Sequence, residues 1–374
     1  MRIGFDAKRA FLNSTGLGNY SRNTLISLKK YFPDNEYVLF TPEIRNGIFP
    51  EQGDFEVYSP DNTVTKILKS FWRSISLNRV LMKKEIDLFH GLSQELPPGI
   101  KNSQVRSVVT IHDLIFMRFP HLYKPIDRKI YYRKVKFATE VADKVIAISR
   151  QTKDDIIKYL KVEPERIEVV YQPISSRFFD VTDTKALSQV LKKYNLPEKY
   201  ILSLGTIESR KNHLNILKAI QSGNIDVPLV IVGRPTTYVQ NLLDYISENN
   251  MERKIHFLDK VPDEDLPAIY RGAQFLAYVS FFEGFGLPLI EAMASGCPVV
   301  TSNTSCLPEV AGDAACFCDP GDVDEIKGCF INLLDNRKLR EGLIEKGRER
   351  AMRFSPKISV AALMDVYKKV MVNA

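Results

Sequence analysis

Nowhere does the sequence reach the roughly 18 to 20 consecutive apolar residues that a membrane-spanning helix needs. Stretches such as Ala273-Gln274-Phe275-Leu276-Ala277-Tyr278-Val279-Ser280 are interrupted long before that length. A transmembrane protein is therefore not expected. The opening, Met1 to Asp6 followed by Lys8 and Arg9, lacks the apolar core and small-residue cleavage site of a secretory signal, so export by that route is not expected either. Cysteine is scarce: the five residues Cys297, Cys306, Cys316, Cys318 and Cys329 are odd in number and confined to one late stretch. That pattern excludes a disulfide scaffold and fits reduced thiols in the cytosol. Cys316 and Cys318 are one residue apart, short of the two-residue gap of a zinc knuckle, and no histidines lie nearby, so no metal site is expected there. Internal repeats and low-complexity tracts are also missing, which sets aside solenoids and disordered tails.

What is present is ordinary globular material: 374 residues, 44% hydrophobic and 26% charged, enough for about two or three domains. The net charge of +7 is unevenly placed. Residues 101–150 hold 11 basic against 4 acidic side chains, a surplus equal to that of the whole chain. Such concentration suggests a local anionic partner and argues against a protein that coats nucleic acid.

Short Val-, Ile-, Leu- and Phe-rich runs alternate with longer amphipathic stretches, the rhythm of βα units on a parallel sheet. Strands are predicted at 2–6, 37–41, 87–90, 107–112, 144–149 and 167–171, and in a second series at 200–204, 229–232, 255–258, 275–280 and 299–302. The polar stretch 175–198 between the two series reads as a linker. The simplest account is α/β, with two doubly wound domains in tandem. Residues 1–175 would form the first, 176–355 the second, and 356–374 a terminal helix crossing back to the first. In such sheets ligands bind outside the carboxyl ends of the strands, so chemistry-bearing motifs should follow strands.

They do. After the first strand, Asn13-Ser14-Thr15-Gly16-Leu17-Gly18-Asn19-Tyr20-Ser21 leads into a helical pattern, a loop whose backbone amides can approach phosphate at a helix N-terminus. Ser21 stands where the dinucleotide fingerprint needs a third glycine, which disfavours a nicotinamide or flavin enzyme. After strand 200–204 come Arg210 and Lys211, a planar fork and a point charge that together can bracket a diphosphate, although a lone basic pair is commonly just solvated. After strand 275–280, Glu283-Gly284-Phe285-Gly286-Leu287-Pro288 is followed by Glu291 within an apolar helix. A loop acid at a strand end can accept hydrogen bonds from sugar hydroxyls, and a second acid one or two turns on can hold a ribose diol. His112, closing a strand before Asp113, reads from sequence alone as loop architecture. Asp322-Val323-Asp324 has the spacing of an acidic metal clamp, but it follows Pro320-Gly321 and opens a helical pattern, where acids cap the N-terminus.

Glu283 and Glu291, eight positions apart with Glu-Gly-Phe-Gly-Leu-Pro between them, closely resemble the acid pair of the retaining glycosyltransferases of family 4, which have the GT-B fold: two Rossmann-like domains facing a cleft. The resemblance runs through Gly16-Leu17-Gly18, Phe89-His90-Gly91, Ile111-His112-Asp113-Leu114, Gly205 to Asn212, Val261 to Tyr270, and Ser302-Asn303-Thr304-Ser305 onward to Gly312. It implies that Gly16 lends its amide to the donor diphosphate and that Arg210 and Lys211 neutralise that group. It further implies that Glu291 holds the ribose, and that Glu283 with the amides of Phe285, Gly286 and Leu287 contacts the transferred hexose and phosphate. His112 would lie near the sugar, making His112 and Glu283 the catalytic pair. Thr206 replaces an arginine common in relatives, which shifts the diphosphate onto Arg210 and Lys211.

The implied activity is transfer of a hexose, with retention and without a metal cofactor, from a nucleoside-diphosphate sugar to a cell-surface glycan or lipid-linked saccharide. Mannosyl-type relatives look nearest, which favours GDP-mannose over UDP-sugars. The alternatives are a nucleotide-sugar epimerase or hydrolase of the same fold, or a non-catalytic nucleotide-sugar-binding scaffold. Two basic amphipathic segments, 66–84 and 123–136, carry interleaved aromatics and suggest peripheral contact with an anionic inner membrane face; a helix packed on its own sheet with a solvated basic face is an equal reading. Nucleic acid is not an expected partner.

Overall fold

The computed structural model describes residues 1–45, 47–60, 77–180 and 183–372. It divides into two compact units, Met1–Pro173 with Pro356–Ala374, and Ile174–Ser355.

The first unit is built on a seven-stranded sheet: β1 (Arg2–Asp6), β2 (Glu36–Phe40), β3 (Glu56–Tyr58), β4 (Leu88–Gly91), β5 (Arg106–Ile111), β6 (Lys144–Ala147) and β7 (Ile167–Val169). The strand order is β3-β2-β1-β4-β5-β6-β7 and the pairs are parallel. A parallel sheet must be covered on both faces, and alternation along each strand shows how. Leu88, Val108 and Ile146 enter one apolar cluster, while their neighbours Phe89, Val109 and Val145 enter the other. The helix Pro356–Val372 supplies Val360, Leu363, Met364 and Tyr367 to the first cluster; the helix Pro125–Val141 supplies Val135 and Ala138 to the second.

The second unit repeats the plan with β8 (Ile201–Leu204), β9 (Leu229–Val232), β10 (Ile255–Leu258), β11 (Phe275–Tyr278), β12 (Val299–Ser302) and β13 (Cys316–Cys318), in the order β10-β9-β8-β11-β12-β13. Leu202 lies opposite Leu276, so β8 and β11 end side by side at Leu204 and Tyr278. The chain leaves β8 toward β9 on one side and returns as β11 on the other, which makes the loops after these two strands the topological switch point.

Two features differ from the sequence reading, and the helix-capping role read for Asp322 holds. β3 and β13 are absent from it, because each is a three-residue edge strand too short to show a periodicity. Residues 175–198 do not form a bare linker: they hold the helix Thr184–Lys193, capped by the Asp183 side chain on the Lys185 amide. Only Leu187, Val190 and Leu191 of this helix are partly covered, so its polar faces hide the pattern. Asp322 caps the helix Val323–Asp335, its Oδ1 accepting from the amides of Asp324 at 2.8 Å and Glu325 at 3.1 Å. Of the basic segment 66–84, residues 66–76 lie outside the described part; the rest includes the helix Leu77–Lys83. Among the described residues no helix is long and apolar enough to cross a membrane.

Candidate functional site

At the switch point of the second unit, the chain after β8 turns through Ser209–Lys211 into the helix His213–Ser222. Asn212, in the left-handed region at φ +62° and buried, anchors this turn: its side-chain amide donates to the carbonyls of Val279 at 2.9 Å and Pro320 at 2.7 Å. The loop after β11 is tied to the same turn. The Phe281 amide donates to the Arg210 carbonyl at 2.9 Å, and the Arg210 guanidinium returns a bond to the Phe282 carbonyl at 2.5 Å.

Between these loops lies a buried charged cluster. Lys211 Nζ is 2.6 Å from Glu283 Oε1, and Arg210 is 3.0 Å from Glu283 Oε2; the side chains are only 12%, 12% and 9% exposed. Lys211 also donates to the Tyr278 hydroxyl at 2.9 Å, and Arg210 pairs with Glu208 at 2.5 Å. Burial alone would raise the Glu283 carboxyl, but Lys211 and Arg210 outweigh it and hold it at about 2. Burial works against the Arg210 charge as well, and Glu283 and Glu208 more than restore it. Two basic side chains thus lie largely out of bulk water at a strand-end loop, where an anionic ligand gains most from them.

The Glu283 loop is shaped from beneath. Cys306 Sγ donates to the carbonyls of Glu283 and Phe285, each at 3.2 Å, and the Phe285 ring packs edge-on against Phe354. Gly286, at φ +100°, then turns the chain into the helix Leu287–Ala294; only glycine adopts that backbone without strain. The amides of Phe285, Gly286 and Leu287 therefore sit at a helix N-terminus, the favoured place for a phosphate or a sugar hydroxyl.

Glu291, half-buried on this helix, stands apart from the charged cluster. Its Oε2 accepts from the Tyr270 hydroxyl at 3.0 Å. Burial pushes its carboxyl up to about 7; the Tyr270 bond and Arg177 oppose this, and Asp263 adds to it.

The remaining sequence-derived residues are in the first unit. Gly16 begins the 16-residue helix Gly16–Tyr31 and is exposed, and a side chain placed there would meet nothing within 4 Å. Gly18 differs, since a Cβ there would fall 1.8 Å from the Asn13 carbonyl oxygen. Asn13 Oδ1 accepts from the amides of Thr15 at 2.8 Å and Gly18 at 3.2 Å, which fixes the loop. His112 is buried with both ring nitrogens engaged: Nε2 donates to the Leu92 carbonyl at 2.8 Å, and Nδ1 accepts from the Gln172 amide at 2.9 Å. Burial lowers its pKa to about 4, so the imidazole is neutral near pH 7. The second unit therefore gathers Arg210, Lys211 and Glu283, with Glu291 on the adjoining helix, while Gly16 and His112 belong to the other unit.

Sequence reasoning missed the partners that hold these groups. Tyr278 in the second unit and Gln172 in the first carry no motif of their own, while Glu208, Asn212 and Tyr270 fall inside stretches that the family resemblance covers but were given no role there.

Two parallel, doubly wound sheets with an ion cluster at a strand-end switch point define a GT-B type of protein. A glycosyltransferase from Rickettsia africae has a solved structure that aligns over 100% of this chain and 99% of its own, with a TM-score of 0.78 at 16% identity. Residues 16–177 match the description Glycosyltransferase Family 4, and residues 188–350 match Glycosyl transferases group 1. The Escherichia coli O-antigen chain mannosyltransferase B is 34% identical over 287 residues, covering 75% of this chain and 74% of that protein. The Salmonella typhimurium O-antigen chain mannosyltransferase RfbU is 26% identical over 334 residues, covering 86% and 88%. The chain belongs to glycosyltransferase family 4.

Proposed function

We propose that this protein is a retaining, metal-independent hexosyltransferase that moves mannose from GDP-mannose to a growing O-antigen-type glycan or a lipid-linked saccharide. The observation that carries the reading is the buried Arg210–Lys211–Glu283 cluster at the β8/β11 switch point. Its donor preference draws on two relatives that are both O-antigen mannosyltransferases.

In this reading the diphosphate of the donor meets Arg210 and Lys211, together with the amides of the Phe285–Leu287 turn. Departure of the diphosphate develops negative charge, and donors preset in a desolvated site stabilise that charge without reorganising. This cation pair takes the neutralising role that a divalent ion has elsewhere. Glu283 accepts hydroxyl hydrogens of the hexose; with an oxygen held by each cation, it is an acceptor of hydrogen bonds and not the nucleophile. The acceptor hydroxyl then attacks the anomeric carbon from the face the diphosphate leaves: the new C–O bond forms as the bond from that carbon to the phosphate oxygen breaks, the hydroxyl proton passes to the departing phosphate oxygen, and configuration is retained. Glu291 holds the ribose. His112, buried and bonded through both ring nitrogens, is neutral at pH 7.

The acceptor side is the first unit. On the helix Pro125–Val141, Ile126 is 68% and Tyr131 45% exposed beside Lys124, Arg128, Lys129 and Arg133. Exposed apolar side chains and cations along one helix suit a peripheral stance on the anionic inner leaflet, at about 1 kcal/mol per cation near the surface. The site of action is then the cytoplasmic face of the membrane. Sedimentation with vesicles containing phosphatidylglycerol at low salt, compared with phosphatidylcholine alone, should show salt-reversible capture by the anionic vesicles; no capture overturns this part.

The main test is thermal unfolding with GDP-mannose, UDP-glucose, UDP-galactose and UDP-N-acetylglucosamine, each with chelator present. At a hundred times its dissociation constant a donor should add about 2.7 kcal/mol. A shift for GDP-mannose that survives chelator and is lost in Lys211→Ala is the expected result. A shift for a UDP-sugar alone overturns the donor, and loss of the shift with chelator overturns metal independence. Release of mannose or of an isomerised nucleotide sugar without acceptor would point to a hydrolase or an epimerase, and binding without any turnover to a scaffold.

A further inference from the structure

We propose that Tyr270 is a positioning residue for the nucleotide: its hydroxyl holds one carboxylate oxygen of Glu291, leaving the other to the vicinal hydroxyls of the ribose. The inference rests on the reading of Glu291 as the ribose-binding acid. Tyr270 lies on the helix Leu266–Gly272, and every bond around that helix removes freedom from the phenol. Just before the helix, Asp265 Oδ2 accepts from Lys193 at 2.7 Å and from the Tyr194 hydroxyl at 2.6 Å. Next to Tyr270, the Ile269 carbonyl accepts from the Tyr200 hydroxyl at 2.6 Å. The ring itself is fully buried and meets Phe178 edge-on, with centroids 6.0 Å apart.

A phenol so fixed is a rigid strut. Burial raises its pKa well above the usual tyrosine value, so it remains a donor at any working pH. Glu291 Oε2, 3.0 Å away, is its acceptor. A free glutamate on a helix samples several rotamers, and a ribose diol can donate two hydrogen bonds to it only once the carboxylate plane is set. Holding one oxygen in advance lowers what the ligand must order on binding. A core tyrosine could also make this bond merely to satisfy its own hydroxyl, and the two roles give different results with the ligand altered at a single atom.

The experiment is calorimetric titration of GDP and UDP, and of their 2′-deoxy forms, into the wild type, Tyr270→Phe, Glu291→Ala and the double variant. For a ribonucleotide that binds the wild type, Tyr270→Phe should weaken binding about five- to tenfold, the scale of one ordinary hydrogen bond, because the bond acts through Glu291 and not on the ligand itself. The 2′-deoxy form, which keeps only the 3′-hydroxyl as a donor to Glu291, should lose clearly less than the ribonucleotide on the same substitution, and the double variant should bind no more weakly than Glu291→Ala. An unfolded fraction would weaken both ligands equally, so the ribo-to-deoxy comparison within one variant separates positioning from folding. In turnover, KM for the donor should rise while kcat stays within about twofold, the pattern of lost uniform binding. Equal losses for ribo and deoxy ligands, or no loss at all, overturn the role of Tyr270 and leave the proposed activity standing. Failure of both GDP and UDP to bind the wild type overturns the nucleotide reading itself, and this inference with it.

Discussion

The six-stranded sheet of the second unit follows the order of the first six strands of the other, yet the polar groups buried at the central strands differ in character. In the first unit, which also buries Asp155 in an ion pair with Arg118, the network around His90 is neutral. The Tyr20 hydroxyl meets Thr110 Oγ1 at 3.1 Å, Thr110 meets His90 Nε2 at 2.8 Å, and His90 Nδ1 meets the Tyr367 hydroxyl at 2.6 Å. His112 continues the theme with Leu92 and Gln172. In the second unit the corresponding depth holds Arg210, Lys211 and Glu283 as ions. A neutral network specifies packing and costs little once every group is bonded. A buried ion cluster is a poor source of stability but a strong source of preset field. Topology is therefore silent on chemistry here: the same order of strands builds a braced support in one unit and an electrostatic site in the other.

Acid should separate the units most strongly. Burial lowers His90 to about 3 and His112 to about 4, against 6.5 for free imidazole. A base with a depressed folded pKa contributes stability that is present above pH 6.5 and lost as pH falls through the folded value. At about 1.4 kcal/mol per pH unit, the first unit should lose on the order of 5 kcal/mol or more by pH 4. The second unit has one such group, His213, lowered to about 4 by burial and by Lys211. It is also relieved from Glu291, whose raised pKa penalises the folded state above pH 7 and ceases to do so by pH 4.5. Glu283, held at about 2, begins to cost stability only below pH 4.5. Hydrogen exchange during acidification should show the first unit opening at the higher pH; simultaneous opening would erase the contrast.

Removing one cation tests the field directly. Lys211→Ala should lower kcat by roughly a hundred- to a thousandfold, the cost of one preset donor, in a steady-state transfer assay. Glu283→Ala should fall in the same range. Tyr367→Phe probes the neutral side: loss of its bond to His90 should destabilise the first unit by about 1–2 kcal/mol in urea unfolding, with nucleotide affinity unchanged. The mildest effect concerns Glu291. Ribose hydroxyls donate to its ionised form, so nucleotide affinity should rise severalfold from pH 6 to 8, as measured by titration calorimetry, and Glu291→Gln should flatten the profile.

Eleven strands were legible because most are short apolar runs buried on both faces, a pattern that leaves little else for those residues to do; β7 and β10, at sheet edges and less covered, were read from the βα rhythm. β3 and β13 were not, since a three-residue edge strand has no period, and Cys-Phe-Cys reads as well for a loop. The site followed the same logic. Arg210, Lys211, Glu283 and Glu291 stand out as ionisable groups at strand ends. Tyr278 and Tyr270 look like core aromatics, and their partners lie 67 and 21 positions away, a separation that only the fold closes. What the sequence hid was the bracing of the charges, not the charges.

The helix Pro356–Val372 belongs to the first unit but follows the second in the chain. The order of synthesis then runs against the order of the units. Ile174–Ser355 is continuous, its two ends joined by the Ile174 amide on the Phe354 carbonyl at 3.3 Å, and it can close as soon as it leaves the ribosome. The unit begun first must wait, with the apolar seat of Leu363 and Met364 open and His90 lacking its tyrosine, until the helix arrives. The nascent protein therefore matures from its middle outward, and the first unit is the last part to become safe from aggregation.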